Sequence, residues 1–294
     1  MKWHGPIVRP PTDADSLFIE VMAGCTHNSC TFCSFYKDTP FWVASNEDIE
    51  EQLCQAKRHV PHTAKIWAFG GNPFSLSAQR LIEIGDLFRK YYPEATVSTY
   101  ARIDDFKRMS TEDLRKIKAH GIDEVLIGVE SGDDEVLSFV NKGYTAAGIL
   151  RECGKLDEAG FTYRMIYLGG LLGAGKLVES AHKSTEVLNQ THPYYLYCTN
   201  ESVLPGTKLF DQKLSGKFAE ATEKERLQEM RELISDLTIE TTLDSATAAS
   251  SIYIKAELPR DKEEAVAALD KVIADFTDGQ EQTLHSRRSS MYSV

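Results

Sequence analysis

No stretch of this 294-residue sequence reaches the roughly 18 to 20 consecutive apolar residues that a membrane-crossing helix needs, so no membrane partner is expected. The opening "MKWHGPIVRPPTDADS" lacks the apolar segment and small-residue cleavage site of a secretory signal, which places the chain in the cytoplasm by expectation. Positive charge is also short. Thirty-three Lys and Arg stand against 44 Asp and Glu, a net charge of −11, and a surface built to neutralise nucleic-acid phosphates is not expected from that balance. Cysteine is scarce, six in all, and no second C-x2-C or H-x3-H follows the one cysteine-rich stretch. That excludes the dense disulfide framework of a small secreted scaffold. A phosphate loop is lacking too: "GGLLGAGK" ends on Lys176, but Leu177 stands where Ser or Thr would have to follow, and the stretch reads as a strand-to-helix turn. The basic "HSRRSS" near the C-terminus reads as a solvated end.

What is present is an alternation. Short β-branched or aromatic runs ("SLFIEVMAG", "AKIWAFGG", "ATVSTYAR", "IDEVLIGVESG", "FTYRMIYLGG", "PYYLYCTNESVL") take turns with segments of helical period. This predicts six βα units around a parallel sheet. Ser45, with Asp48 three residues on, is the expected N-terminal cap of the first helix. After "LPGT" the rhythm changes to the long charged stretch "ATEKERLQEMRELISDLTIETT". The organisation expected is an extension over 1–15, the α/β body over 16–215, a helical cap over 216–280 and a flexible tail over 281–294.

Cys25, Cys30 and Cys33 crowd into the loop after the first strand, at its C-terminal end, where chemistry sits in parallel α/β proteins. A structural zinc site with His27 as fourth ligand is one reading, although such sites usually draw ligand pairs from two segments. The other is an iron–sulfur cluster. A cuboidal four-iron cluster normally takes four thiolates, so three leave one iron open to a small-molecule ligand. Cys54, Cys153 and Cys198 are isolated and read as small buried hydrophobes.

The C-x4-C-x2-C spacing with Phe32 before the last cysteine resembles the cluster loop of the radical S-adenosylmethionine (SAM) superfamily, whose commonest form has a first gap of three. "AFGGNPFSL", "IGVESGDDEVL" and "LPGTKLF" resemble further motifs of that superfamily in the right order. With "GAGK" and "ELPRDKEEAV" they look most like a branch of small proteins related to oxygen-independent coproporphyrinogen oxidases. The resemblance covers about residues 16 to 275.

It implies an α/β fold of the partial (β/α)6 TIM-type barrel with a C-terminal helical extension, and an enzyme that holds a [4Fe-4S] cluster on Cys25, Cys30 and Cys33. It implies SAM as second cofactor, cleaved reductively to a 5′-deoxyadenosyl radical that takes hydrogen from a small, carboxylate-bearing substrate. A low-potential electron donor such as flavodoxin or ferredoxin would be the partner. Tetrapyrrole-directed chemistry, a zinc-stabilised binding protein and an electron or cluster carrier are the alternatives.

SAM-binding positions implied by the resemblance are Gly70, Gly71, Asn72, Ser98, Tyr100, Glu130 and Lys142. Three of them depart from relatives: Asn72 stands where most carry an acid, Tyr100 where some carry a glutamate, and Lys142 where the coproporphyrinogen oxidase-like enzymes carry an arginine. For the substrate, Arg164 in an otherwise apolar strand is the expected carboxylate clamp, unless it is an internal partner of a glutamate such as Glu130 or Glu201. Tyr197 and Asn200 on the sixth strand are further candidates.

Overall fold

The computed structural model describes residues 3–291. The first two positions of the expected extension and the last three of the expected tail lie outside the described residues. In chain order the elements are β1 (Leu17–Glu20), β2 (Met22–Ala23), β3 (Trp42–Val43), α1 (Asn46–His59), β4 (Lys65–Phe69), α2 (Ala78–Tyr91), β5 (Thr96–Ala101), α3 (Thr111–Ala119) and β6 (Glu124–Glu130). There follow α4 (Asp134–Phe139), α5 (Ala146–Ala159), β7 (Thr162–Gly169), α6 (Leu177–Leu188), β8 (Tyr195–Asn200), α7 (Lys208–Leu214), α8 (Glu223–Asp236), β9 (Thr241–Asp244), β10 (Lys255–Leu258), α9 (Lys262–Ala274) and α10 (Asp278–Ser289).

Eight strands form one sheet in the order β1-β4-β5-β6-β7-β8-β9-β10. The pairs β1–β4, β4–β5, β5–β6 and β8–β9 are parallel, and β9–β10 is antiparallel. Strand β4 shows why the parallel reading worked: Ile66, Trp67, Ala68 and Phe69 are all buried, the near-continuous apolar run of a strand covered on both faces. Helix α1 begins at the expected Ser45–Asp48 capping box and buries Ile49, Leu53 and Ala56, one stripe at i, i+4, i+7.

Two expectations are corrected. The stretch read as a cap of helices over 216–280 contains two strands. The helix α8 stops at Asp236, and the β-branched pair Thr241–Thr242 continues the sheet beside β8 instead of prolonging the helix. The tail from 281 is ordered as far as the description runs: Thr277 and Gln280 form a capping box, and Arg288 is buried.

The chain divides into two compact units. The first takes residues up to 28, then 35–128 and 152–164; the second takes 29–34, 129–151 and everything from 165. The first holds β1 to β5 with α1 to α3. The second holds α4, α6, β8 and all that follows.

Candidate functional site

The cysteine loop is anchored separately in each unit. In the first, the ladder β2–β3 (Met22 opposite Val43, Ala23 opposite Trp42) closes the loop at its base. Asn28 adopts left-handed backbone (φ 40°), where asparagine is better tolerated than most residues. Its N–H donates to Cys25 Sγ at 3.5 Å, its side-chain amide donates to the Tyr36 carbonyl at 2.9 Å, and Lys37 Nζ donates to its carbonyl at 2.7 Å. In the second unit, Thr31 N–H donates to the Val140 carbonyl (3.0 Å), and the Thr31 carbonyl accepts from Leu209 N–H (2.9 Å). Phe32 packs against the apolar cluster of Val136, Val140 and Leu171.

All three cysteines are free thiols, Cys30 buried and Cys25 and Cys33 half-buried. Among the described residues no three His, Cys, Asp or Glu side chains converge on one ion position. A structural zinc site usually draws its ligand pairs from two segments, and the chain's one short cysteine run supplies a single segment. A cluster's thiolates bind separate irons and stand farther apart. A backbone N–H aimed at Cys25 Sγ also suits a cluster thiolate, because hydrogen bonds to sulfur are among the features that tune cluster potential. The residues present fit the group.

The glycine pair after β4 has a physical reason that the sequence did not disclose. Both residues have positive φ, 119° at Gly70 and 67° at Gly71. A Cβ on Gly70 would lie 1.6 Å from the Met22 carbonyl oxygen, and one on Gly71 would lie 1.9 Å from that of Gly24. The pair therefore lets the end of β4 press directly on the backbone that carries Cys25. Asn72 reinforces this junction. Its amide donates to Thr26 Oγ1 (2.8 Å) and to Asp105 (2.9 and 3.1 Å), and its carbonyl accepts from Thr26 N–H (3.0 Å). Burial drives the Asp105 carboxyl up to about 7 despite hydrogen bonds from the Arg102 N–H and Asn72.

Glu130 and Lys142 are brought together. Lys142 Nζ donates to Glu130 Oε1 at 2.8 Å, both side chains are nearly buried, and the Lys142 ammonium lies 5.8 Å from the Phe32 and Tyr144 ring centres. Glu130 closes β6 in left-handed backbone (φ 67°). Such strain in a non-glycine residue costs on the order of 1–3 kcal/mol and clusters at functional sites.

Arg164 must be corrected. It sits at the third position of β7, far from that strand's C-terminal end, and it is 2% exposed. Its guanidinium donates to Asp13 Oδ2 (2.7 Å) and Glu124 Oε1 (2.6 Å) and lies over the Trp67 ring. The internal-partner alternative therefore holds, with Asp13 and Glu124 as the partners instead of Glu130 or Glu201. Lys65 adds ion pairs to the same two carboxylates. Ser98 belongs to this cluster as well, its hydroxyl donating to Glu124 Oε1 at 2.6 Å. Tyr100 is half-buried, edge-on to Trp67 with ring centres 4.9 Å apart.

Tyr197 and Asn200 lie three apart on β8 and so face opposite ways. Tyr197 lies against Tyr195 with the two rings tilted by 46° (4.6 Å between ring centres). Asn200 faces Gly169, where an added Cβ would lie 2.9 Å from Asn200 Oδ1 and 2.7 Å from Glu229 Oε2.

Around this strand end stands a group that the sequence reading missed. Glu229 accepts from Tyr167 Oη (2.9 Å) and Gly170 N–H (2.8 Å), and burial pushes its carboxyl up to about 7. Glu201, next after β8, is likewise pushed up to about 7 by burial. Arg226 has no exposed side-chain surface and lies against Gly170, and Arg288 forks onto Glu223 (2.6 and 2.7 Å). A signal existed: Arg226 shares the i, i+4, i+7 stripe of Met230 and Leu233 on α8, the face that must be buried.

Residues 19–175, more than half of the chain, match the Radical SAM superfamily, and the chain belongs to that superfamily. It is by class a radical SAM enzyme, whose cofactors are a [4Fe-4S] cluster and SAM. Among curated relatives it is similar to the heme chaperone HemW of Bacillus subtilis (strain 168), 24% identical over 146 residues. That match covers 47% of this chain and 38% of the relative, so the chain spans well under half of that protein's length.

Among solved structures it is similar to the radical SAM methyltransferase TsrM from Kitasatospora setae, seen with cobalamin and a [4Fe-4S] cluster (TM-score 0.53, 16% identity, 66% of this chain and 38% of that one). Methylornithine synthase (PylB) gives a TM-score of 0.55 at 16% identity over 89% of this chain and 84% of that one. At such identities the likeness defines the fold, α/β of the partial (β/α)6 TIM-type barrel. No helix among the described residues is long and apolar enough to cross a membrane.

Proposed function

We propose that this chain cleaves SAM reductively and applies the radical to a small substrate bearing a carboxylate, in the cytoplasm, with its electron drawn from a low-potential donor such as flavodoxin or ferredoxin. The observation that carries the reading is the junction of Gly70–Gly71 with the Cys25 backbone, a contact no other residue type would permit. When bound, the cluster and SAM supply a 5′-deoxyadenosyl radical; the chain's own residues hold and orient the reactants. Cys25, Cys30 and Cys33 would hold the cluster, with the Asn72–Asp105 strap fixing the loop that begins at Cys25. Glu130 and Lys142 offer one charge of each sign on a buried pair, suited to the polar groups of SAM. The net charge of −11 supports a small molecule over nucleic acid as substrate.

The test is anaerobic reconstitution with iron and sulfide, followed by reduction with dithionite in the presence of SAM. Close to four irons per chain and slow release of 5′-deoxyadenosine are expected, and Cys25→Ala, Cys30→Ala or Cys33→Ala should lose the iron. Full iron retention in any of the three overturns the reading. Glu130→Ala should weaken SAM about tenfold, the loss of one charge-assisted hydrogen bond; an unchanged Kd assigns Glu130 to the scaffold. A second reading, tetrapyrrole-directed chemistry, draws support from the similarity to a relative named a heme chaperone. Titration with heme and with coproporphyrinogen separates the two.

A further inference from the structure

Arg226 and Glu201 stand out among the buried polar groups. Thirteen buried side-chain nitrogen and oxygen atoms among the described residues have no hydrogen-bond partner, and five of them belong to this one pair: Nε, Nη1 and Nη2 of Arg226 and both carboxylate oxygens of Glu201. Their closest charged atoms are 3.9 Å apart, and Glu220 Oε1 lies 3.5 Å from Arg226 Nη2. These are ion-pair separations that form no hydrogen bond. An arginine and a glutamate free to collapse would form a bidentate fork. Here each is held back. Gly170, at φ 89° just past β7, receives the guanidinium so closely that a Cβ would lie 1.9 Å from Nη1. The Glu201 backbone is fixed by its N–H to the Gly169 carbonyl (2.8 Å) and by Arg288 on its own carbonyl (3.1 Å). The pair stands at the C-terminal ends of β7 and β8, the end at which α/β folds of this kind place their ligands.

We propose that Arg226 and Glu201 form the substrate-recognition pair, and that the ligand is a small zwitterion of the α-amino acid class, its carboxylate on Arg226 and its ammonium on Glu201. Complementarity decides between a zwitterion and a simple anion. Lys213 and Arg288 are already paired with Glu220 and Glu223, which leaves Arg226 and Glu201 as the open groups. An anion alone would meet only Arg226, whereas a ligand with a carboxylate and an ammonium gives each open group its complement. The inference rests on the proposed radical SAM function and supplies the carboxylate anchor that Arg164 does not.

Iron content and SAM cleavage of the unaltered protein, measured without added amino acid, test the proposed function. The recognition pair is tested by thermal shift on the same reconstituted protein with a panel of free α-amino acids, each beside its N-acetyl derivative and its decarboxylated amine. At least one amino acid should raise the melting temperature while its two controls do not. Arg226→Gln should weaken that amino acid about tenfold or more. Glu201→Gln should abolish the preference for the free amine, so that the N-acetyl derivative binds as well as the amino acid. A purely structural pair would not produce that change in selectivity, and Glu201→Gln decides the matter alone if Arg226→Gln does not fold. A panel that leaves the melting temperature unmoved, or a response that survives both substitutions with its selectivity intact, overturns the proposal even where the iron and cleavage measurements succeed.

Discussion

Two buried arginines carry the same charge in opposite circumstances. Arg164 meets Asp13 and Glu124 at 2.7 and 2.6 Å, with Lys65 and Ser98 completing the carboxylates' hydrogen bonds. Arg226 is as deeply buried, yet its nearest carboxylate oxygens lie at 3.5 and 3.9 Å and none accepts a hydrogen bond. In the first arrangement both terminal guanidinium nitrogens donate to carboxylates, Nε alone standing without a partner, and the residue sits early in its strand; in the second no guanidinium nitrogen donates, and the group sits where two strands end. Burial alone does not mark a functional charge. The degree to which its own fold satisfies it does.

The sharpest way to break this contrast is to remove each guanidinium in turn. Arg164→Met strands Asp13 and Glu124 without their main cation and should cost about 3–5 kcal/mol in a urea melt. Arg226→Met should cost less, about 1 kcal/mol, because no hydrogen bond is lost and both neighbouring acids, Glu201 and Glu229, already stand near 7 and can take up a proton. Equal losses would show that Arg226 is scaffold too.

A smaller effect is expected at Asn72, where the chain departs from the acid common in relatives. Asn72→Asp would set a second carboxylate about 3 Å from the buried Asp105, at the distance the amide now occupies. A loss of about 2 kcal/mol is expected. Adding Asp105→Asn should restore most of it, giving a coupling energy of about 1–2 kcal/mol in a double-mutant cycle. Simple additivity of the two losses would mean that the strap has no energetic content.

The smallest effect is a difference in pH response. Hydrogen bonds from Lys65 and Arg164 outweigh burial and hold the Asp13 carboxyl below 3.8, its ordinary value. Its contribution is therefore present above that pH and lost as pH falls through the folded value. Glu229 behaves oppositely: its folded value near 7 lies above the ordinary 4.5, so the native state binds the extra proton and stability falls as pH rises from about 4.5 to about 7. Glu229→Gln should flatten that decline by about 1–2 kcal/mol, while Asp13→Asn should alter only the acid limb. Urea midpoints taken across the range give both slopes.

Much of this could be read along the chain. The parallel βα alternation, the Ser45–Asp48 cap and the three-cysteine loop are each local patterns, set by side-chain period or by spacing within a few residues. The errors share one cause. Arg164 was recognised as a buried cation needing a partner, but its partners are 151 and 40 residues away, and no period in the sequence reports such a distance. Thr241 and Thr242 read as the end of a helical stretch because a four-residue strand following a long charged helix carries too little pattern to declare itself without the neighbour that pairs with it.

The sequence by itself determined the kind of fold and the kind of chemistry, since both follow from composition, period and short spacing. The tertiary structure decided which charges are used up and which are left to do work. Gly70 shows the division in one residue: the chain displays a glycine pair after a strand, and only the fold reveals that the Met22 carbonyl presses on it. The physical reason is range. Helix and strand patterns are written within about two turns of chain, whereas whether a buried arginine is satisfied depends on atoms that only folding brings to it.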